Sequence, residues 1–177
     1  MFDEEQINIP KDRIAALIGK NGSTRKQIEE MTKSKLNIDS KTGEVVIEND
    51  DVYMLHKTDE IVKAIARGFS PEKALLLLND EFYIEILHLK EIVGKSEKEI
   101  KTKKARVIGR QGSIRAEIEE KTNTYISVYG NTIGIIGEIN GIELAKEAVE
   151  MLLKGAKIES MKIYLDKRIA KKGEFKL

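Results

Sequence analysis

Two short stretches carry the residue types best suited to bind something: Gly19-Lys20-Asn21-Gly22 and Gly109-Arg110-Gln111-Gly112. Each sets a basic and an amide side chain between two glycines. Each then leads through Ser23 or Ser113 to an arginine, Arg25 or Arg115. A chain that turns between two helices in so few residues needs positions without a Cβ. The second helix begins at that turn, so its unpaired N–H groups and the positive end of its dipole face outward. Glycine also lets another backbone come close. Together these features make a cradle for phosphate-like anions. A plain bend between helices is the simpler alternative, but it does not call for polar tips twice. A third G-x-x-G, Gly134-Ile135-Ile136-Gly137, falls inside a predicted strand and is a chance occurrence. A nucleotide-hydrolysing P-loop needs G-x-x-x-x-G-K-[ST] after a strand; here Lys20 precedes the second glycine and the preceding segment is helical.

The elements that must position these corners are themselves duplicated. At an offset of ninety, residues 17–39 overlie 107–129 with nine identities in 23 positions. Chance gives about one or two at average residue frequencies. Each copy predicts the order β-α-α-β-β-α. In the first, 6–10 is a short strand ending at Pro10, and 11–18 is a helix with Ile14, Leu17 and Ile18 on one face. Residues 23–33 form a second helix with Ile28 and Met31 on one face. Strands follow over 35–39 and 44–48. A third helix over 52–68 carries a stripe of Leu55, Ile61, Val62, Ile65 and Ala66, with Gly68 just past its end. The second copy predicts a longer first strand, 83–93, helices over 96–108 and 113–123, strands over 125–129 and 132–138, and a third helix over 141–155. Between the copies, Ser70 and Pro71 mark a helix start, and Leu75–Leu78 cannot all face one side. That segment predicts a short helix wedged between two domains, 1–79 and 80–177.

Composition narrows the function classes. The chain has 41% apolar and 34% charged residues, a globular balance. No apolar run is long enough to span a membrane, and the acidic start, MFDEEQINIP, lacks the apolar core of a secretory signal. A cytoplasmic protein is expected. With no cysteine, thiol catalysis and thiolate metal sites are excluded. Two histidines, His56 and His88, are too few for a histidine metal cage. Glu29-Glu30 and Glu119-Glu120 recur, but adjacent helical residues point about 100° apart and are expected to be solvated. No catalytic residue, metal or cofactor is predicted.

At these residues the sequence resembles a known family. LIGKNGSTRKQIEEMTKSKLNI and VIGRQGSIRAEIEEKTNTYISV, each in a β-α-α-β-β-α order, look like two type I KH domains. The resemblance implies a mixed α/β (α+β) fold of two tandem units, each a three-stranded sheet on three helices. It implies that each G-x-x-G loop clamps about four single-stranded nucleotides. By position, Gly19, Lys20, Asn21, Gly22 and Gly109, Arg110, Gln111, Gly112, Ser113 would be the clamps. Ile14, Ile18, Ile28, Leu36 and Ile38 would line or support one groove, and Ile108, Ile118, Ile126 and Val128 the other. The family often has an aliphatic residue three past the second glycine, where this chain has Arg25 or Arg115. Each arginine fits either an ion pair with Glu29 or Glu119 or a phosphate contact behind the clamp. The whole chain resembles archaeal two-KH proteins similar to the eukaryotic small-subunit assembly factor partner of Nob. That implies RNA binding near the 3′ end of small-subunit rRNA, with an rRNA-trimming endonuclease and translation initiation factor two as partners. A KH-fold protein scaffold with little RNA affinity is the alternative.

Charge separates the copies. Lys95 to Arg115 holds eight basic residues, Lys103 and Arg106 among them, against two acids, a local +6; the aligned window Glu5 to Arg25 reaches only +2. Because affinity follows the phosphates neutralised, the second unit is expected to dominate RNA binding. A last helix over 159–173 predicts Met161, Tyr164, Leu165 and Ile169 on one face. Lys162, Lys167, Arg168, Lys171 and Lys172 lie on the other, either solvated or touching RNA backbone.

Overall fold

In the computed structural model, which describes residues 3–174 and the side chains of 3–171, each half of the chain builds one sheet and covers one face of it with helices. The chain divides into two units, Met1–Phe82 and Tyr83–Leu177. The first runs β1 (Asp3–Asn8), α1 (Lys11–Ile18), α2 (Ser23–Thr32), β2 (Lys35–Ile38), β3 (Glu44–Asn49) and α3 (Val52–Ala66). Its strand order is β1-β3-β2, antiparallel throughout, with Ile7 opposite Val45 and Leu36 opposite Ile47. Alternation sets the two faces: Val45 and Ile47 of β3 are fully buried beneath the helices, whereas Val46 and Glu48 are half-exposed.

The second unit repeats the design. It comprises β4 (Phe82–His88), a one-turn α5 (Leu89–Ile92), α6 (Glu97–Ile108), α7 (Ser113–Thr122), β5 (Thr124–Tyr129), β6 (Thr132–Glu138) and α8 (Ile139–Leu153). Its strand order is β4-β6-β5, the same as in the first unit. Its core draws on α6, α7, β5, β6 and α8 through Val107, Ile118, Ile126, Ile135 and Val149. The tandem KH-type architecture expected from the sequence is therefore present.

Local chemistry explains the boundaries. Asp51 caps α3, accepting from the backbone N–H groups of Tyr53 at 2.9 Å and Met54 at 3.3 Å. Ser96 caps α6 by accepting from Glu99 N–H at 3.3 Å. Gly68 sits beyond α3 at φ 94°, where a left-handed residue closes the helix. Asn49, at the end of β3, donates its buried amide to Thr32 O and Ser34 Oγ, so one side chain ties the end of α2 to the sheet.

Several expectations need correction. Met31 is 50% exposed; the buried partner of Ile28 is Thr32, one full turn on, whose hydroxyl donates to Ile28 O. The strand over 83–93 ends at His88, because Leu89 N–H leaves the ladder for Asn131 O and Leu89 is buried at the start of α5. Helix α8 begins two residues before Gly141. A Cβ on Gly141 would lie 2.4 Å from Thr122 O, so that glycine serves close packing against the end of α7. Residues 70–78 split into α4 (Pro71–Ala74) and a 3₁₀ turn over Leu75–Leu78, which pack on α3 within the first unit. Of the four leucines only Leu77 is fully buried.

The last helix, α9 (Ile158–Glu174), docks on α8 through Met161 and Leu165, both fully buried. Ile169 is exposed and lies outside that stripe. The cationic face is partly engaged: Lys162 pairs with Glu117 at 2.6 Å and Arg168 with Glu147 at 3.5 Å. Lys121 of α7 holds Asp166 at 2.6 Å, and this hydrogen bond raises the lysine's pKa. Lys167 and Lys171 are exposed, and the Lys172 side chain lies outside the described residues.

Candidate nucleic-acid interface

Each glycine corner joins the end of one helix to the start of the next, and the two have nearly the same backbone. Gly19 lies at φ 74°, ψ 172° and Gly109 at 73°, 178°. Asn21 and Gln111 are both left-handed, at φ 53°. Gly22 and Gly112 follow at φ 76° and 77°, also left-handed, immediately before α2 and α7. A 3.2 Å hydrogen bond from Gly22 N–H to Gly19 O closes the first turn, and one from Gly112 N–H to Gly109 O the second. Only glycine and, less readily, Asn-like residues take such angles cheaply.

The two glycines of a pair differ in task. A Cβ on Gly19 would fall 2.4 Å from Thr24 Oγ1 and 2.6 Å from Thr24 N; one on Gly109 would fall 2.4 Å from Ile114 Cγ1. The first glycine thus lets the next helix pack against the turn. A Cβ on Gly22 would meet nothing within 4 Å, and one on Gly112 only Arg115 Nη2 at 3.7 Å. The second glycine faces open space. Neither α2 nor α7 has a side-chain N-cap hydrogen bond, since a glycine stands at each N-cap and leaves the leading amides of the helix uncapped. Lys20, Asn21, Arg110 and Gln111 are exposed at the tips, as is Ser113 behind the second.

In the first unit a cleft of 480 Å³ opens beside the corner, lined by Ile18, Gly22, Arg25, Lys26, Glu29, Ile38 and Ser40. A shallower one of 420 Å³ adjoins it and shares Arg25 and Ile38. Four of the expected residues, Ile18, Gly22, Arg25 and Ile38, are brought together here. Lys26 and Ser40 were not foreseen; Lys26, one turn along α2 from Gly22, was the available signal. Ile28 and Ile118 are fully buried in the core and do not reach the surface beside the corners. Ile18, Ile38, Ile108 and Val128 are half-buried, with part of each side chain presented outward.

The departure from the family pattern is resolved in kind. Arg25 pairs with Glu29 at 3.2 Å and Arg115 lies 3.8 Å from Glu119. Both arginine side chains stay about 40% exposed beside the corner: 40% for Arg25 and 42% for Arg115. Glu29 and Glu119 are not the solvated residues expected. Glu29 accepts the backbone N–H of Leu36 at 2.8 Å, and Glu119 that of Ile126 at 2.6 Å. In the first unit one carboxylate therefore orders the arginine and pins the strand to the helix; in the second Glu119 pins the strand, while Arg115 Nε is buried with no hydrogen-bond partner among the described residues.

Part of the charge difference between the windows is turned away from the corners. Arg106 donates to Ala156 O beyond the end of α8, and Lys103 lies at the same helix end, its Nζ 3.5 Å from where a Cβ on Gly155 would stand. Both complement the negative end of the α8 dipole. Lys104 donates to Gly130 O in the β5–β6 turn at 2.7 Å. Arg13 does the like in the first unit, donating to Ile65 O and Phe69 O, both at 2.8 Å. At the corner itself the first unit keeps Lys20, Arg25 and Lys26, and the second Arg110 and Arg115. Among the described residues no group of three or more His, Asp or Glu side chains could hold a metal ion, and no helix is long and apolar enough to cross a membrane.

Comparison with known proteins agrees with this geometry. Residues 83–170 match the family described as the eukaryotic-type KH domain, KH-domain type I, and residues 4–67 match the KH domain family. A KH domain-containing protein of Methanocaldococcus jannaschii is 45% identical over 156 residues, covering 86% of this chain and 68% of that protein. The pre-rRNA-processing protein PNO1 of Candida albicans is 27% identical over 88% of this chain, which spans 58% of that relative. The crystal structure of an a/eIF2alpha–aDim2p–rRNA complex from Pyrococcus horikoshii OT3 contains a chain 45% identical, with a TM-score of 0.90 and 96% of each chain covered. With two KH matches spread over both units and a fold shared with these relatives, the chain belongs to the KH-domain family, as a tandem type I protein of the kind that includes PNO1 and archaeal Dim2p.

Proposed function

We propose that the chain is a non-catalytic RNA-binding factor of small-subunit ribosome assembly that grips single-stranded RNA at both glycine corners. The observation carrying this reading is the pair of matching corners, each with an uncapped helix start, open space over the second glycine and an exposed cation behind it. A sugar-phosphate chain fits that combination: the amides and dipole take phosphate oxygens, and the missing Cβ admits the backbone. Ile18 and Ile38 offer apolar surface for bases in the cleft alongside. Affinity is shared between the corners, since Lys103, Lys104 and Arg106 of the second window are engaged by the end of α8 and the β5–β6 turn.

The RNA we infer is the 3′ region of small-subunit rRNA or its precursor, met in the cytoplasm. Two relatives favour it: one is named for pre-rRNA processing, the other was crystallised with rRNA and a/eIF2alpha. Translation initiation factor two and the endonuclease that trims that rRNA end are the protein partners this reading suggests. Crosslinking the protein in extract of its own cells and sequencing the attached RNA tests it. Reads should gather at the 3′ region of small-subunit rRNA and vanish for a chain carrying Lys20→Asp, Asn21→Asp, Arg110→Asp and Gln111→Asp. Reads scattered over unrelated RNAs, or unchanged in that variant, would refute it.

A further inference from the structure

Arg25 and Arg115 each stand three residues past the second glycine of a corner, yet the two are placed differently. Arg115 leans over its corner: Nη2 lies 3.7 Å from where a Cβ on Gly112 would stand. Arg25 leaves the same point at Gly22 clear, with nothing within 4 Å. It lines both clefts of the first unit instead, beside Ile18 and Ile38 in the larger and beside Asn37, Ile38 and Val46 in the shallower. Arg25 thus borders the space between α2 and β2.

Two hydrogen bonds fix how Arg25 presents itself. Its Nε donates to Glu29 Oε1 at 3.2 Å, and that oxygen also accepts the N–H of Leu36 in β2 at 2.8 Å. The guanidinium is thereby held to the strand that supplies Ile38. Among the described residues Nε alone of the Arg25 nitrogens has a hydrogen-bond partner, so both Nη groups keep their donors for a ligand. Charge decides which ligand. Glu29 lines the larger cleft and balances the guanidinium, leaving Lys26 as its net charge. The shallower cleft sets Asp39 and Glu44 against Arg25. A phosphate gains little there, whereas a neutral base edge needs donors rather than net charge.

The two Nη groups of a guanidinium donate side by side in one plane. Their complement is a base edge with two neighbouring acceptors. Guanine has that pair in O6 and N7, and cytosine in O2 and N3. On the Watson–Crick and Hoogsteen edges of adenine and uracil each acceptor has a donor as its neighbour. We propose that Arg25 is a specificity-determining residue of the first unit, and that its cleft prefers guanine or cytosine to adenine or uracil, read by the two Nη groups with Ile18 and Ile38 as apolar surface beside the base. This rests on the RNA-clamping reading above.

The test uses the full chain with Arg110→Asp and Gln111→Asp, so that only the first corner binds. Its probes are tetra-adenylate and the tetranucleotides carrying guanine, cytosine or uracil at one position of it, titrated by fluorescence anisotropy at low salt. At one position guanine or cytosine should bind about fivefold or more tighter than adenine and uracil, and the two arms show which of them is read. Arg25→Lys keeps the charge and loses the planar fork, so it should bring the four bases to within about twofold of one another. Lys26→Gln should weaken every tetranucleotide alike and keep the preference. Three results overturn the assignment: no preference for guanine or cytosine, a preference that survives Arg25→Lys, or an equal loss for all bases in that variant, which would mark Arg25 as a phosphate contact. Failure of every tetranucleotide to bind at low salt would instead refute the clamp itself, and the base reading with it.

Discussion

At Gly19 and Gly22 the requirements of folding and of binding separate. Gly19→Ala drives a Cβ into Thr24 at 2.4 Å in a positive-φ conformation, so it should destabilise the first unit by about 3 kcal/mol or more. Gly22→Ala meets no atom and bears only the left-handed penalty, about 1 kcal/mol. On the proposed clamp it should still weaken RNA binding, because its methyl would stand in the open space a strand has to enter. Thermal melts beside anisotropy titrations distinguish the two; equal melting losses would show that both glycines are structural. The glycines, polar tips and arginines of the corners were legible in sequence because they recur in one frame. The hook from Glu29 to Leu36 N–H was not, since a carboxylate seven residues from its donor leaves no periodic mark. Glu5 was equally silent. Burial and the Asp59 carboxylate beside it raise its pKa, with Lys63 and His56 opposing. A raised carboxyl pKa means the folded state holds the proton longer, so this contribution is full below the ordinary glutamate range and fades as pH rises through the raised value. Stability of the first unit should fall over that window, and Glu5→Gln should flatten the profile in urea titrations at several pH values.

The ends of the elements show how far local signals reach. Helices α2 and α7 both close on a left-handed residue, Lys33 at φ 58° and Asn123 at φ 53°. Asparagine tolerates that conformation and lysine does not, so Lys33→Asn should stabilise the first unit by roughly 0.5–1 kcal/mol, read from its denaturation midpoint. Arg13→Ala should cost about 2 kcal/mol, since it leaves the carbonyls of Ile65 and Phe69 without their charged donor. A change below 0.5 kcal/mol would mean that water replaces the guanidinium there. Sequence identified the helices by period and caps, but it read Arg13, Lys103 and Arg106 as charge available to a ligand. Their real targets are carbonyls and a helix end about fifty residues away along the chain. Net charge in a window cannot reveal that, because it depends on which helix packs beside which.

For the whole molecule the duplication is the governing fact. On the proposed reading, two corners that grip one RNA would do so at high effective concentration, so joint affinity should exceed either alone by about 10²–10⁴. The fold class and the tandem order followed from self-alignment, whereas the sharing of cations between binding and structure emerged only with the packed helices. The most direct measurement compares single-stranded RNA affinity, at one salt concentration, for the unaltered chain, Lys20→Asp/Asn21→Asp, Arg110→Asp/Gln111→Asp and the combination. All four positions are exposed and aspartate accepts the left-handed angles, so circular dichroism should stay unchanged. Each pair should weaken binding, and the combination should lower it by about a hundredfold or more. A folded combined variant that binds as tightly as the unaltered chain would contradict the proposal that the glycine corners grip the strand.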